Sequence, residues 1–135
     1  MWLNLTRFLS FAACVSLVYL VVADEGFQID RVAQAAQQRY GGNASAVVKS
    51  WGNVLSIYKS GSEQQKLKDI NEFFNRKLQF VDDQTNWGQN DYWATPIESL
   101  LKGAGDCEDY AIAKYFSLKF LGVPVNKLRI TYVKA

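Results

Sequence analysis

Apolar side chains recur every three to four residues between positions 32 and 78, which is the period of helices with one buried face. The pattern predicts a helix that ends before Gly41-Gly42, because paired glycines stop a helix. A second helix is predicted over Ala44 to Tyr58. The apolar positions of these two helices are Val32, Ala35, Ala36 and Tyr40, and then Val47, Trp51, Leu55 and Ile57.

A third helix has the clearest start signal. Ser62 is followed three residues later by Gln65, the spacing of a capping box. The predicted buried positions of this helix are Leu67, Ile70, Phe74 and Leu78.

The second half of the chain begins with a polar, irregular stretch from Val81 to Trp93 that reads as a loop rich in oxygen ligands. Thr95 then predicts the cap of a short helix, with Pro96 at its first position and Glu98 at its third. Gly103 is the predicted end of that helix.

A last helix and a strand are predicted beyond this point. Asp106 is the expected N-cap, Asp109 completes a second capping box, and the helical pattern, which includes Ile112, Tyr115, Phe116 and Leu118, runs to Gly122. Apolar and polar residues alternate from Leu128 to Val133, which predicts a strand.

Composition narrows the classes of function. The chain has 135 residues, 49% of them hydrophobic and 21% charged, with a formal net charge of +2. One domain core with an appendage accounts for this length. Because Lys and Arg are mixed with Asp and Glu and form no basic stripe, a nucleic-acid partner is not expected.

The first 23 residues have the features of a signal peptide. Arg7 precedes an apolar run from Phe8 to Ala23, and Asp24 restores polarity. The run is shorter than the roughly twenty residues of a spanning helix, which favours a cleaved signal over an uncleaved anchor. We therefore expect an exported chain in which residues 1–23 are the signal peptide and residues 24–135 form the domain.

Removal of that segment takes Cys14 with it and leaves Cys107 as the remaining cysteine. Two interpretations follow: a buried, inert cysteine that acts as a small apolar residue, or a reactive thiol. Its predicted place in the first turn of a helix favours the second, because free backbone N–H groups and the helix dipole stabilise a thiolate. Glycines before it would let a substrate carbonyl approach, with the Cys107 amide as an oxyanion donor.

Carboxylates around Cys107 oppose this chemistry, because Asp106, Glu108 and Asp109 disfavour a further anion. A bound calcium ion would resolve the conflict, since it prefers oxygen ligands and reverses the local field. We predict that Asp106 and Glu108 bind the ion and that the upstream loop adds Asp91. Asn90 and Asp83 are the next choices in that loop. The alternative is that Asp106 and Asp109 only cap a helix.

The sequence from Asp91 to Ala135 resembles the bacterial transglutaminase-like cysteine peptidases, specifically the LapG-type periplasmic proteases. The resemblance rests on the motifs DYWATP (91–96), GDCEDY (105–110), KY (114–115), LGV (121–123) and the segment 128–133. It implies an α+β, papain-like and transglutaminase-like fold in which Cys107 is the nucleophile. Its helix would pack against an antiparallel sheet that is mostly missing from this chain. It also implies that Asp106 and Glu108 bind calcium.

The resemblance further implies a substrate and a partner. The family cleaves a large surface adhesin near its N-terminus, which controls biofilm release, and is held inactive by a LapD-type inner-membrane receptor for cyclic-di-GMP. The histidine and aspartate of the family's active site would lie on strands beyond Ala135, and the sequence has no histidine.

The expected function is therefore the N-terminal part of a calcium-dependent periplasmic cysteine endopeptidase. Two alternatives remain open: a remnant that binds calcium or a partner without cutting, and an amide transferase on the same scaffold.

Overall fold

The computed structural model describes residues 28–133, so the predicted signal peptide lies outside the described residues. Six helices, two short strands and a 3-10 turn follow one another along this part of the chain. They are α1 (28–40), α2 (Ala44–Tyr58), α3 (Glu63–Lys77), β1 (Gln79–Phe80), α4 (Asp83–Trp87), α5 (Pro96–Lys102), β2 (Ala104–Gly105), α6 (Cys107–Phe120) and the 3-10 turn Val125–Lys127.

Helix α2 has the predicted bounds but a partly different buried face. Its buried residues are Ala44, Val48, Gly52 and Leu55. The prediction for Ile57 is wrong, because its side chain is 72% exposed. Each residue of an α-helix turns by roughly 100°, so Ile57 points away from Leu55, two positions earlier.

Helix α3 begins as predicted, with the Ser62 hydroxyl accepting from the Gln65 amide at 3.2 Å. The Gln65 side chain donates instead to Asp69, at 2.7 Å. Leu67 was predicted to be buried and is 45% exposed. The neighbouring Lys66 reaches the end of α6, where its Nζ donates to the Leu121 carbonyl at 2.9 Å.

The core lies mainly between α3 and α6, with α2 and α5 against them. Its buried apolar members are Leu55, Ile70, Phe74, Leu78, Leu100, Ala113, Leu118, Leu121 and Val123. Side-chain hydrogen bonds also join α6 to its neighbours. Among them, Trp51 Nε1 donates to Ser117 Oγ at 3.2 Å, and the Tyr110 hydroxyl donates to the Leu78 carbonyl at 2.6 Å. These bonds fix the orientation of α6, the helix that begins at Cys107.

The described sheet is one parallel pair, in which Gln79 of β1 lies opposite Ala104 of β2. The predicted strand from Leu128 to Val133 is wrong for the described residues, which contain no strand there. A strand requires a hydrogen-bonded neighbour, and within the described chain this segment has none, although Leu128 itself has extended backbone angles.

Helix α5 forms as the sequence predicts. The Thr95 hydroxyl accepts from the Glu98 amide, Glu98 returns the bond to the Thr95 amide, and Pro96 is the first residue. Gly103 ends the helix with a φ of +67°, which glycine adopts without strain. A search of residues 28–133 for a helix with the length and apolarity of a membrane span found none.

Candidate active site

Cys107 is the first residue of α6, as predicted, and its side chain is exposed. The interpretation of Cys107 as a buried small apolar residue is therefore wrong. Asp106 precedes it in an extended conformation as the N-cap. The sulfur thus lies at the helix end where backbone N–H groups lack helical partners.

Strand β2 sets the position of this helix start. The Gly105 carbonyl accepts from the Val81 amide at 3.1 Å, and the Gly103 carbonyl accepts from the Gln79 amide at 2.9 Å. The sequence predicted that the glycines make room for substrate. At Gly105 the space is taken by the protein itself, because a Cβ there would lie 2.7 Å from Asp109 Cβ.

Asp109 is fully buried and holds two segments of backbone together. Its Oδ2 accepts from the Asp106 amide at 3.3 Å, and its Oδ1 accepts from the Ala94 amide at 2.8 Å. Burial raises the pKa of this carboxyl, while the two backbone hydrogen bonds oppose the shift. Asp109 therefore caps α6, as predicted, and also anchors the chain before α5.

Helix α4 brings a further buried carboxylate to the site. Asp82 caps this helix, with Oδ1 accepting from the Thr85 amide at 3.0 Å, and Asp83 is the first helical residue. Asp83 is only 4% exposed. Its Oδ2 accepts from the Tyr92 amide, whereas its Oδ1 is buried and has no hydrogen-bond partner.

Five carboxylate side chains lie close together here and form two groups that share Asp83. Ligand atoms within each group lie within 4.8 Å of one another. The first group is Asp83, Asp106 and Asp109; the second is Asp83, Asp91 and Glu108.

The carboxyl group of Asp106 has a strongly raised pKa. Burial, followed by a hydrogen bond with Glu108 and the charges of Glu108, Asp83 and Asp109, raises its pKa to about 7. Its buried Oδ1 has no hydrogen-bond partner. The site thus concentrates negative charge that the described residues leave uncompensated.

Comparison with known proteins identifies the family. Residues 43–135 match the family model described as "Bacterial transglutaminase-like cysteine proteinase BTLCP".

The chain belongs to this family.

Three solved structures of Legionella pneumophila LapG share this fold, each with 35% sequence identity, a TM-score of 0.58 and coverage of 73% of this chain. One is described as EGTA-treated and another as calcium-bound. The chain spans about half the length of these relatives, 52–53% of each. A comparison with curated protein sequences gave no match.

The comparison confirms the predicted fold class. The chain is an α+β, transglutaminase-like member of the family, rich in helices, with a small sheet. The sequence motifs around Cys107 thus identified the family of cysteine proteinases correctly.

The two carboxylate groups near Cys107 provide the oxygen donors that a hard divalent cation requires. All five groups are carboxylates, and two buried oxygens, on Asp83 and Asp106, have no partner within the described chain. Calcium prefers such oxygen ligands and tolerates irregular geometry. The residues present therefore fit a calcium ion.

The structure differs from the predicted ligand set in its centre. Asp91, Asp106 and Glu108 all lie in the cluster, but Asp106 is in one group and Glu108 and Asp91 are in the other. Asp83, which the sequence indicated only as a later choice of ligand than Asp91, is common to both groups. A capping pattern, Asp82 followed three residues later by Thr85, was the signal that would have placed Asp83 on a helix.

An open apolar cleft of about 430 Å³ adjoins the cluster at Trp93. Trp93 Nε1 donates to Asp91 Oδ1 at 3.1 Å, and the ring lines the cleft together with Ile112 and Phe116 of α6. Cys107 is not among the residues that line it.

Proposed function

We propose that this chain supplies the nucleophile and the calcium site of a cysteine endopeptidase. The observation that carries the proposal is an exposed Cys107 at the start of α6 with carboxylates on both sides. These carboxylates lie close to the buried Asp83, whose Oδ1 has no hydrogen-bond partner. A structural role alone would not leave buried carboxylate oxygens without partners.

The proposed reaction begins at Cys107 Sγ. The thiolate attacks the carbonyl carbon of a peptide bond, the amine leaves with a proton from a general acid, and water hydrolyses the resulting thioester. Backbone N–H groups at the start of α6 stabilise the negative oxygen. A bound calcium ion would supply positive charge beside these groups. The 135 residues contain no histidine, so the usual proton donor and acceptor is not among them.

Asp83, Asp91, Asp106 and Glu108 are the proposed calcium ligands. Asp109 has a different part, because both of its oxygens already accept backbone N–H groups. It holds the helix start and the Ala94 backbone in place and can contribute only a shared oxygen to the ion.

The proposed substrate is the N-terminal region of a large surface adhesin, and the proposed regulator is a LapD-type receptor for cyclic-di-GMP. Membership of the LapG-like family supports both assignments, as does the predicted signal peptide over residues 1–23, which would place the chain in the periplasm. Release of the adhesin would disperse a biofilm.

Cleavage of an adhesin N-terminal fragment by the complete enzyme tests the proposal. We expect new peptide termini in calcium, none in EGTA, and none for Cys107→Ser in either buffer. Cleavage by Cys107→Ser at the wild-type rate would refute the assignment of the nucleophile. Incorporation of an added amine without new termini would indicate amide transfer instead of hydrolysis.

A binding module that does not cut is the second candidate, because the carboxylate cluster with its unpaired oxygens accounts for cation binding without any reaction at Cys107. In this case the calcium site and the partner surface are retained while Cys107 is chemically ordinary. Pull-down of the adhesin fragment by the chain, with Cys107→Ser binding equally and no cleavage by any form, would support this candidate over the first.

A further inference from the structure

Tyr92 lies in the loop between α4 and α5 and contacts both helices. Its amide donates to Asp83 Oδ2. Its ring lies 4.5 Å from the Trp87 ring of α4, centroid to centroid, and its hydroxyl donates to Glu98 Oε1 of α5 at 3.0 Å. Tyr92 also follows Asp91 directly in the chain.

Glu98 is a fixed partner for that hydroxyl. Its Oε2 accepts from the Thr95 amide at 2.8 Å and from the Thr95 hydroxyl at 2.9 Å, while its own amide donates back to Thr95 Oγ1 at 3.3 Å. The carboxylate is thus oriented by the capping box of α5, independently of Tyr92. It is not a member of either carboxylate group.

We propose that Tyr92 is a positioning residue for the cation site, through its hydroxyl bond to Glu98. This bond ties the loop between α4 and α5 to a capped helix, and the loop carries Asp91 and the N–H group that orients Asp83. The inference rests on the proposed calcium site. It extends that site to a residue that does not touch the ion.

The physical reason is the cost of ordering the ligands. A loop that is free before binding must lose conformational entropy when the ion binds, and this weakens affinity. A hydrogen bond to a charged acceptor is stronger than one between neutral groups. The Tyr92–Glu98 bond therefore restricts the loop before the ion arrives.

Calorimetric titration of CaCl₂ into chelator-treated chain tests the inference with Tyr92→Phe. Phenylalanine keeps the ring contact with Trp87 and removes only the hydroxyl. We expect calcium affinity to fall by roughly tenfold, the lower end of the effect of outer-shell substitutions. The melting temperature in EGTA measures the structural effect of the same change.

Ser62→Ala is the control. It also removes one hydroxyl hydrogen bond, which Ser62 accepts from the Gln65 amide at the start of α3, and this bond restrains neither the loop nor the first turn of α6. We expect it to lower the melting temperature while calcium affinity stays within about twofold of the wild type.

Different results would refute the role of Tyr92 and the proposed calcium site on which that role rests. If the wild type binds no calcium, the cation site itself is wrong. If the wild type binds calcium and Tyr92→Phe binds it equally, Tyr92 does not position the ligands. Should Tyr92→Phe be unfolded in EGTA, Glu98→Gln replaces the charged acceptor with a neutral one. Unchanged affinity in Glu98→Gln would then overturn the inference, and a several-fold loss would support it.

Discussion

Asp106 is a residue whose pKa shows the effect of the neighbouring carboxylates. Burial and the neighbouring carboxylates, Glu108 first, raise its pKa to about 7. Its ionised form is therefore disfavoured until a cation or a proton neutralises it. Protons and calcium must compete for this carboxyl.

This competition predicts a pH dependence of calcium binding. Below pH 7 Asp106 is mostly protonated, so binding must release a proton, and affinity falls by up to about tenfold per pH unit. Calcium titrations at pH 8, 7 and 6 measure the effect. In Asp106→Asn we expect weaker binding and a smaller pH dependence, and an equal dependence in both proteins would contradict the assignment.

The same carboxyl predicts the sign of a stability change in EGTA. Its pKa in the folded chain is raised above the ordinary value of 3.8 to about 7, so its stabilising contribution is present below pH 3.8 and is lost as the pH rises through 7. We expect the wild-type melting temperature to fall between pH 5 and pH 8, relative to Asp106→Asn. A wild-type curve parallel to that of the variant would show that Asp106 has an ordinary pKa.

At the residue scale the sequence was informative where local chemistry decides the outcome. Cys107 at a helix start, and Asp109 as a capping residue, follow from spacing alone. The central place of Asp83 does not, because it depends on a loop that folds back until the Tyr92 amide meets its carboxylate. Gly105 likewise makes room for Asp109 and not for a substrate.

At the scale of elements, the contact between α3 and α6 holds the helix of Cys107 in place. Phe74 is fully buried in this core, with Ile70 beside it in the same cluster. Leu67 lies on the same helix and is 45% exposed. Phe74 and Leu67 are both apolar but differ in burial, so substitutions at them distinguish the effect of burial from that of apolar character.

Truncation of these side chains should differ sharply in effect. Phe74→Ala removes a buried aromatic ring and should lower the free energy of unfolding by about 3–5 kcal/mol. Leu67→Ala should change it by less than about 1 kcal/mol, because nearly half of this side chain is already exposed to water. Urea denaturation measures both. Equal losses would contradict the orientation of α3.

Capping residues made the bounds of the helices predictable. The strand prediction failed because a strand also needs a neighbouring segment to pair with. The bounds of α2 and α5 follow from Gly41-Gly42, Thr95 and Gly103, which are local signals. Alternation over Leu128 to Val133 predicts a strand only if a neighbour pairs with it, and no described segment does. The short helix α4 was missed because its caps, Asp82 and Gly88, enclose only five residues, which are too few to show a helical period of apolar positions.

At the scale of the whole molecule, the site is assembled by long-range packing. Asp83 and Asp106 are separated by more than twenty residues, and the β1–β2 pair together with the buried Asp109 brings their segments together. Sequence alone provides the ligand types and the family motifs. It does not provide the distances, since these depend on where the loop and α6 meet.

In the whole molecule, the thiol of Cys107 at a helix start lies beside the carboxylates of the proposed cation site. The charge of that cation must offset the field of the surrounding carboxylates if Cys107 is to react as an anion. Asp83→Asn removes the carboxylate that both groups share and leaves Cys107 untouched. It is the matched variant for separating the ion from the helix start.

The rate of alkylation of Cys107 by iodoacetamide, measured at pH 7 in calcium and in EGTA, tests this link most directly. We expect alkylation to be at least about tenfold faster in calcium, which corresponds to only about 1.4 kcal/mol of preferential stabilisation of the thiolate. We also expect the difference to vanish in Asp83→Asn. Equal rates in the two buffers, at the value of a free thiol such as glutathione, would contradict the account.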